Sequence, residues 1–138
     1  MSYTFSIIKP DSVKSGVDNQ ILQIISTRMF KIKGIRRLIL TKEIAESFYS
    51  IHKGKDFYED LIKFMTSGEV VVLALEATNA IERFRKLIGD TDPTEAEPNT
   101  IRKMFGNSIA SNAIHGADSD ENAKKEINFF FPELIGSL

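Results

Sequence analysis

The run Val70-Val71-Val72-Leu73-Ala74-Leu75 is the longest unbroken apolar stretch in the chain. It falls far short of the roughly 20 residues that a membrane-spanning helix needs. Its length and branched side chains suit a β-strand covered on both faces. Residues 70–76 are therefore predicted to form a central strand, and the flanking segments have to supply its neighbours and its covering layers.

Residues 3–9 alternate and are β-rich, which predicts a first strand ending at Pro10. Asp11 or Ser12 can cap a following helix with Val17, Ile21, Ile24 and Ile25 on one face, although Gly16 and Asn19 weaken its first turns. Residues 30–41 read as a long second strand bent at Gly34, and Ile44, Phe48 and Ile51 mark a short helix. Gly54 breaks that helix, and Asp56 with Glu59 opens another that carries Phe57, Leu61 and Phe64 or Met65 on one side. After the central strand, Asn79 with Glu82 caps a helix whose core face is Ile81, Phe84 and Ile88. Residues 89–111 have no sustained period and read as a long loop, the kind usually kept for function. A short helix to about Lys125 or Ile127 follows, and Phe129-Phe130-Phe131 reads as a last strand stopped by Pro132. Strand, helix, strand, helices, strand, helix, strand is the order of an α+β, ferredoxin-like split βαβ sandwich. No repeat, low-complexity segment or linker interrupts it, so residues 1–138 are expected to form a single domain.

The chain has no cysteine, which excludes a disulfide framework and a thiolate metal site. Its start, Met1-Ser2-Tyr3-Thr4-Phe5, lacks the basic and apolar regions of a signal peptide, so a soluble cytoplasmic protein is expected, without membrane association. A formal net charge of −1 argues against a general nucleic-acid coat. Any anion site has to be a local cluster of Lys and Arg.

His115 lies in Asn112-Ala113-Ile114-His115-Gly116-Ala117-Asp118-Ser119, between a short apolar step and a glycine turn. Asp118-Ser119-Asp120-Glu121 then has the spacing of a helix N-cap with a carboxylate three residues on. The imidazole is thus expected at the mouth of a helix, a good place to meet a phosphate. Neutral imidazole, the main form at pH 7 for a group of ordinary pKa about 6.5, can attack phosphorus without first losing a proton. Lys9 ends an apolar strand, where a charge needs a partner.

This segment resembles the signature of nucleoside diphosphate kinases. The resemblance extends through Ile8-Lys9-Pro10-Asp11, Phe64-Met65-Thr66-Ser67-Gly68, Leu87-Ile88-Gly89-Asp90-Thr91-Asp92-Pro93, Pro98-Asn99-Thr100-Ile101-Arg102 and Lys125-Glu126-Ile127, in the family's order and spacing. It implies the same antiparallel four-stranded fold. It also implies an enzyme that moves the γ-phosphate of a nucleoside triphosphate, usually ATP, to a nucleoside diphosphate by a ping-pong route through phospho-His115.

By the same resemblance Glu126 hydrogen-bonds the imidazole, and Tyr49 is its neighbour. Lys9, Arg85 and Arg102 meet the phosphates, Thr91 gives them its hydroxyl, and Asn112 and Lys9 reach the sugar. Guanidinium groups suit phosphate as planar, two-pronged donors. Phe57 and Leu61, one helical turn apart, would grip the base by its flat face, which reads any base alike. From periodicity alone Phe57 and Leu61 suit an ordinary core equally well, and Glu126 suits a solvated helix face beside Lys124 and Lys125. Magnesium is implied as an ion that arrives on the nucleotide phosphates, with no metal ligands of the chain's own.

Ala117 stands where the family usually has serine, Asn19 and Met29 where it usually has glycine, and Lys55-Asp56 where Arg-Pro is frequent. None of these positions is one of the phosphate cations. A homo-oligomer, hexamer or tetramer, is implied, and the full-length loop at 89–111 leans towards the hexamer. The competing expectation is a catalytically silent nucleotide-sensing module, because ferredoxin-like sandwiches host many functions. Strong nucleic-acid binding is not expected.

Overall fold

β1 (Ser2–Ile8) and β3 (Glu69–Ala77) form the middle of a four-stranded antiparallel sheet, with β2 (Lys31–Ile39) outside β3 and β4 (Ile114–Gly116) outside β1. The computed structural model describes residues 1–137. The apolar run Val70 to Leu75 is buried throughout, as a central strand requires. Its even members pack with Phe5 and Ile7, its odd members with Ile8, because side chains alternate across a pleated sheet.

Helices α3 (Lys42–Phe48), α4 (Tyr58–Met65) and α7 (Asp120–Phe130) cover the first face through Ala45, Ile62, Met65, Ala123, Ile127 and Phe130. The second face is covered by α2 (Asp18–Thr27), α5 (Ala80–Ile88) and α6 (Ile101–Phe105) through Ile21, Ile25, Phe84, Ile88 and Ile101. Full burial of side chains this large is worth about 1.5–3 kcal/mol each. The architecture is the α+β, ferredoxin-like sandwich predicted from element order.

Several local expectations are corrected. The aromatic triplet 129–131 is not a strand: Phe129 and Phe130 end α7, and the Phe131 N–H donates to the Ile127 carbonyl at 2.6 Å. Aromatic β-propensity yields here to amphipathic spacing, since Ala123, Ile127 and Phe130 share the buried stripe and Phe130 stacks on Phe5 at 5.5 Å. The fourth strand is instead the short segment that carries His115. The first predicted helix is split into α1 (Pro10–Lys14) and α2, with Gly16 at φ 77 between them. The loop 89–111 contains α6, capped by Thr100, whose Oγ1 accepts from the Lys103 N–H. Asn79 is left-handed and makes no side-chain cap; the Ala80 N–H donates to Ser2 Oγ at 2.8 Å instead. No side-chain cap opens α4 at Asp56, because its N-cap residue is Phe57. Ile51, predicted on a helix face, lies in a 3₁₀ turn and is exposed.

Candidate active site

Pairing with β1 aims the histidine. Ile7 stands opposite His115 and Ile8 opposite Ile114, so His115 shares the face of Ile7 while Ile114 drops into the other core. Gly116 follows because a Cβ there would sit 2.9 Å from Ile88 Cδ1 and 3.1 Å from the Phe84 ring. The imidazole lies against the rings of Phe5 and Phe48, with centroids 6.1 and 6.0 Å away.

His115 Nε2 is 2.8 Å from Glu126 Oε1. An ionised carboxylate only accepts, so in the neutral ring this contact assigns the proton to Nε2 and the lone pair to Nδ1. α7 brings Glu126 there. Its cap is Ser119, whose Oγ accepts from the Asn122 N–H at 3.1 Å, one residue later than a cap at Asp118. Asp118 accepts instead from Asn122 Nδ2 at 2.6 Å, which holds its carboxyl below the usual range. Burial and the charge of Glu126 push the Tyr49 phenol up, so it stays protonated.

Lys9 is buried at the end of β1, and its Nζ donates to Asn112 Oδ1 at 2.8 Å. Burial, then the nearby charge of Arg102, lowers its pKa to about 8, while Asp11 pulls upward. Asn112 Nδ2 donates in turn to the Thr91 carbonyl at 3.0 Å, joining Lys9 to the long loop. Arg102 is buried as well. Its Nη1 donates to the Gly89 carbonyl at 3.0 Å and its Nη2 to the Ile114 carbonyl at 2.8 Å, while Nε is buried without a partner among the described residues. Burial and the neighbouring Arg85 lower its pKa to about 10. Such crowding of positive groups favours an incoming anion.

Lys9, Tyr49, Phe57, Leu61, Arg85, Thr91, Arg102, Asn112, His115 and Glu126 all line one cleft of about 690 Å³. That volume lies in the range of small-ligand sites. Phe57 is 49% exposed, and Tyr58, Ile62 and Met65 take the buried face of α4 in its place. Phe57 thus stands on the cleft wall, whereas Leu61 both lines the cleft and packs against the core. A more open groove of about 680 Å³ adjoins the cleft and shares Arg85, Thr91 and Arg102, but it is lined by Glu82, Glu95 and Glu97 and has no imidazole.

Ile51, His52, Asp60, Ile109, Asp118 and Asn122 also line the cleft, and none of them was read from the sequence as a site residue; Ile51 and Asp118 were read only as helix-face and cap residues. Ile109, an exposed isoleucine in a polar loop, was the one with a readable signal. Phe48 was read only as helix core, yet its ring meets His115. Among the described residues no group of three or more His, Asp or Glu side chains could hold a metal ion.

The model of the family described as nucleoside diphosphate kinase matches residues 2–135. The nucleoside diphosphate kinase of Helicobacter hepaticus is 51% identical over 131 residues, covering 95% of this chain and 96% of that protein. The crystal structure of the Aquifex aeolicus nucleoside diphosphate kinase superposes with a TM-score of 0.92 at 41% identity, covering 94% of each chain. The structure of a halophilic nucleoside diphosphate kinase from Halobacterium salinarum in complex with CDP gives a TM-score of 0.90 at 35% identity, covering 94% of this chain and 87% of that one. Likeness of this depth in both sequence and fold leaves one assignment: the chain belongs to the nucleoside diphosphate kinase family of phosphotransferases.

Proposed function

We propose that His115 is the phosphate carrier of a ping-pong nucleoside diphosphate kinase. The observation that carries this reading is the 2.8 Å bond from Nε2 to Glu126, which leaves a lone pair on Nδ1 of a ring that lines the cleft. The Nδ1 pair attacks the γ-phosphorus of a nucleoside triphosphate, the bond from that phosphorus to the β,γ-bridging oxygen breaks, and the diphosphate leaves. A second diphosphate then attacks the phosphohistidine through its terminal oxygen and regenerates the imidazole.

Lys9, Arg85 and Arg102 neutralise the phosphate oxygens, and Thr91 donates its hydroxyl to them. Asn112 turns a polar arm to the sugar, sharing the Oδ1 that already receives Lys9. Phe57 and Leu61 support the base, and Tyr49 packs beside the imidazole region. Magnesium carried on the nucleotide phosphates would supply further neutralisation of their charge beside Lys9, Arg85 and Arg102. Self-association as a hexamer or tetramer is part of the proposal, supported by the outer position of β2 and the exposed Ile35 and Ile39 on it. No helix among the described residues is long and apolar enough to cross a membrane. A cytoplasmic location belongs to the proposal too.

The test is a pulse of γ-labelled ATP with magnesium on wild type and His115→Ala, then a chase with unlabelled GDP. Acid-labile label on wild type alone, released as labelled GTP, is expected. Nucleotide binding without any label would instead mark a silent nucleotide sensor.

A further inference from the structure

Two segments meet beside Lys9: residues 9–11, leaving β1, and residues 112–113, entering β4. The Lys9 N–H donates to the Ala113 carbonyl at 2.9 Å, and Lys9 Nζ to Asn112 Oδ1 at 2.8 Å. The Ala113 N–H donates to Asp11 Oδ2 at 3.1 Å. Ala113 is fully buried and has φ 79, the left-handed region where a Cβ is disfavoured. An alanine keeps such a conformation only when its surroundings impose it. Asp11 reaches this turn from α1 across about a hundred residues of sequence, and its Oδ1 is buried without a hydrogen-bond partner among the described residues. The phosphotransfer steps above make no use of Asp11.

We propose that Asp11 is a positioning residue of the phosphotransfer site, acting through the Ala113 backbone to hold the left-handed turn that sets Asn112 against Lys9 and leads into His115. Asn112 and His115 flank Ala113 within two residues, so a turn that relaxes shifts the partner of Lys9 and the phosphate carrier together. Misplacement by about 1 Å can cost on the order of a hundredfold in rate. The inference rests on the kinase reading above. A carboxylate that acted only by its charge on Lys9 would not depend on the conformation of residue 113.

That difference gives the test. Asp11→Ala removes the acceptor. Asp11→Asn keeps an acceptor of the same shape without the charge. Asp11→Ala combined with Ala113→Gly removes the acceptor but lets residue 113 remain left-handed without strain. Folding of each is checked by circular dichroism, and the amide exchange of residue 113 is followed by NMR. The expected result is a tenfold to hundredfold fall in kcat/KM for Asp11→Ala, on the order allowed by misplacement. Asp11→Asn recovers most of it, as does the double variant. Exchange at residue 113 speeds up in Asp11→Ala alone among the single variants. Wild-type kcat/KM in Asp11→Ala overturns the proposal. So does an Asp11→Asn as impaired as Asp11→Ala, or a double variant with no recovery. Wild type that takes no label from ATP would defeat the kinase reading, and the exchange measurement would still decide whether Asp11 holds the turn.

Discussion

His115 and Glu126 meet at 2.8 Å through Nε2 and Oε1, both partly shielded from solvent, so one ring nitrogen is committed to the protein and the other keeps its lone pair. Glu126→Ala frees the ring to turn and to exchange tautomers. The rate of phosphohistidine formation should fall on the order of 10- to 100-fold, with nucleotide KM moved by no more than about twofold, as for loss of a residue that orients a catalytic imidazole. Rapid-quench labelling checks it, and a wild-type burst would rule out an orienting role.

Lys9 yields a prediction in protons. Its pKa is lowered from 10.5 to about 8, so between those values the folded chain binds fewer protons at this site than the unfolded chain does. Its contribution to stability therefore rises with pH across that window. A bound phosphate favours the charged form and draws the pKa back up. At about pH 8, nucleotide binding should take up about half a proton per site. Titration calorimetry in buffers of different ionisation enthalpy measures this. Lys9→Arg, permanently charged, should lose that uptake, and equal uptake in both proteins would refute the assignment.

Phe57 stands on the cleft wall, with its ring 5.3 Å from that of His52. Phe57→Ala should raise KM about tenfold for purine and pyrimidine nucleotides alike, while kcat changes less, because stacking is indifferent to base identity. Steady-state kinetics with ATP, GTP and CTP are the check. A penalty confined to one base would point to edge recognition instead.

Met29 is the clearest site for added stability. It has φ 71 and is 79% exposed, so it carries left-handed strain and contributes little packing. Met29→Gly should stabilise the fold by about 1 kcal/mol, equivalent to roughly 4 °C in Tm. Thermal melts with activity held constant test it, and an unchanged or lower Tm would mean that the unfolded-state entropy of glycine cancels the relief.

The long elements were legible because their signals are local. The apolar run of β3 declares itself within a few residues, as do Phe84 and Ile88 of α5, although Ile81 packs against the other core and Ala80 and Leu87 complete the buried face. β4 was not legible: Ile114–Gly116 is too short to show a period, and it becomes a strand only by pairing with β1 more than a hundred residues away. Phe129 and Phe130 misled for the opposite reason, because aromatic residues favour strands until a buried helical stripe claims them. Within the site, the residue types and their motif order pointed to the cleft now observed. At Asp56 and Asp118 the N-cap lies one residue later than the sequence suggested, because neighbouring alternatives read equally well, whereas Asn79 is the N-cap residue of α5 and lacks only the side-chain bond.

Arg102 has one arm on Gly89, where α5 ends, and the other on Ile114, beside the histidine. The segment between them is thus not a removable cassette. A loop exchanged from a relative, or lengthened between α6 and β4, would shift the guanidinium and the carbonyl next to His115 in the same movement. Modularity stops at Arg102, since one side chain ties the two ends of this segment together.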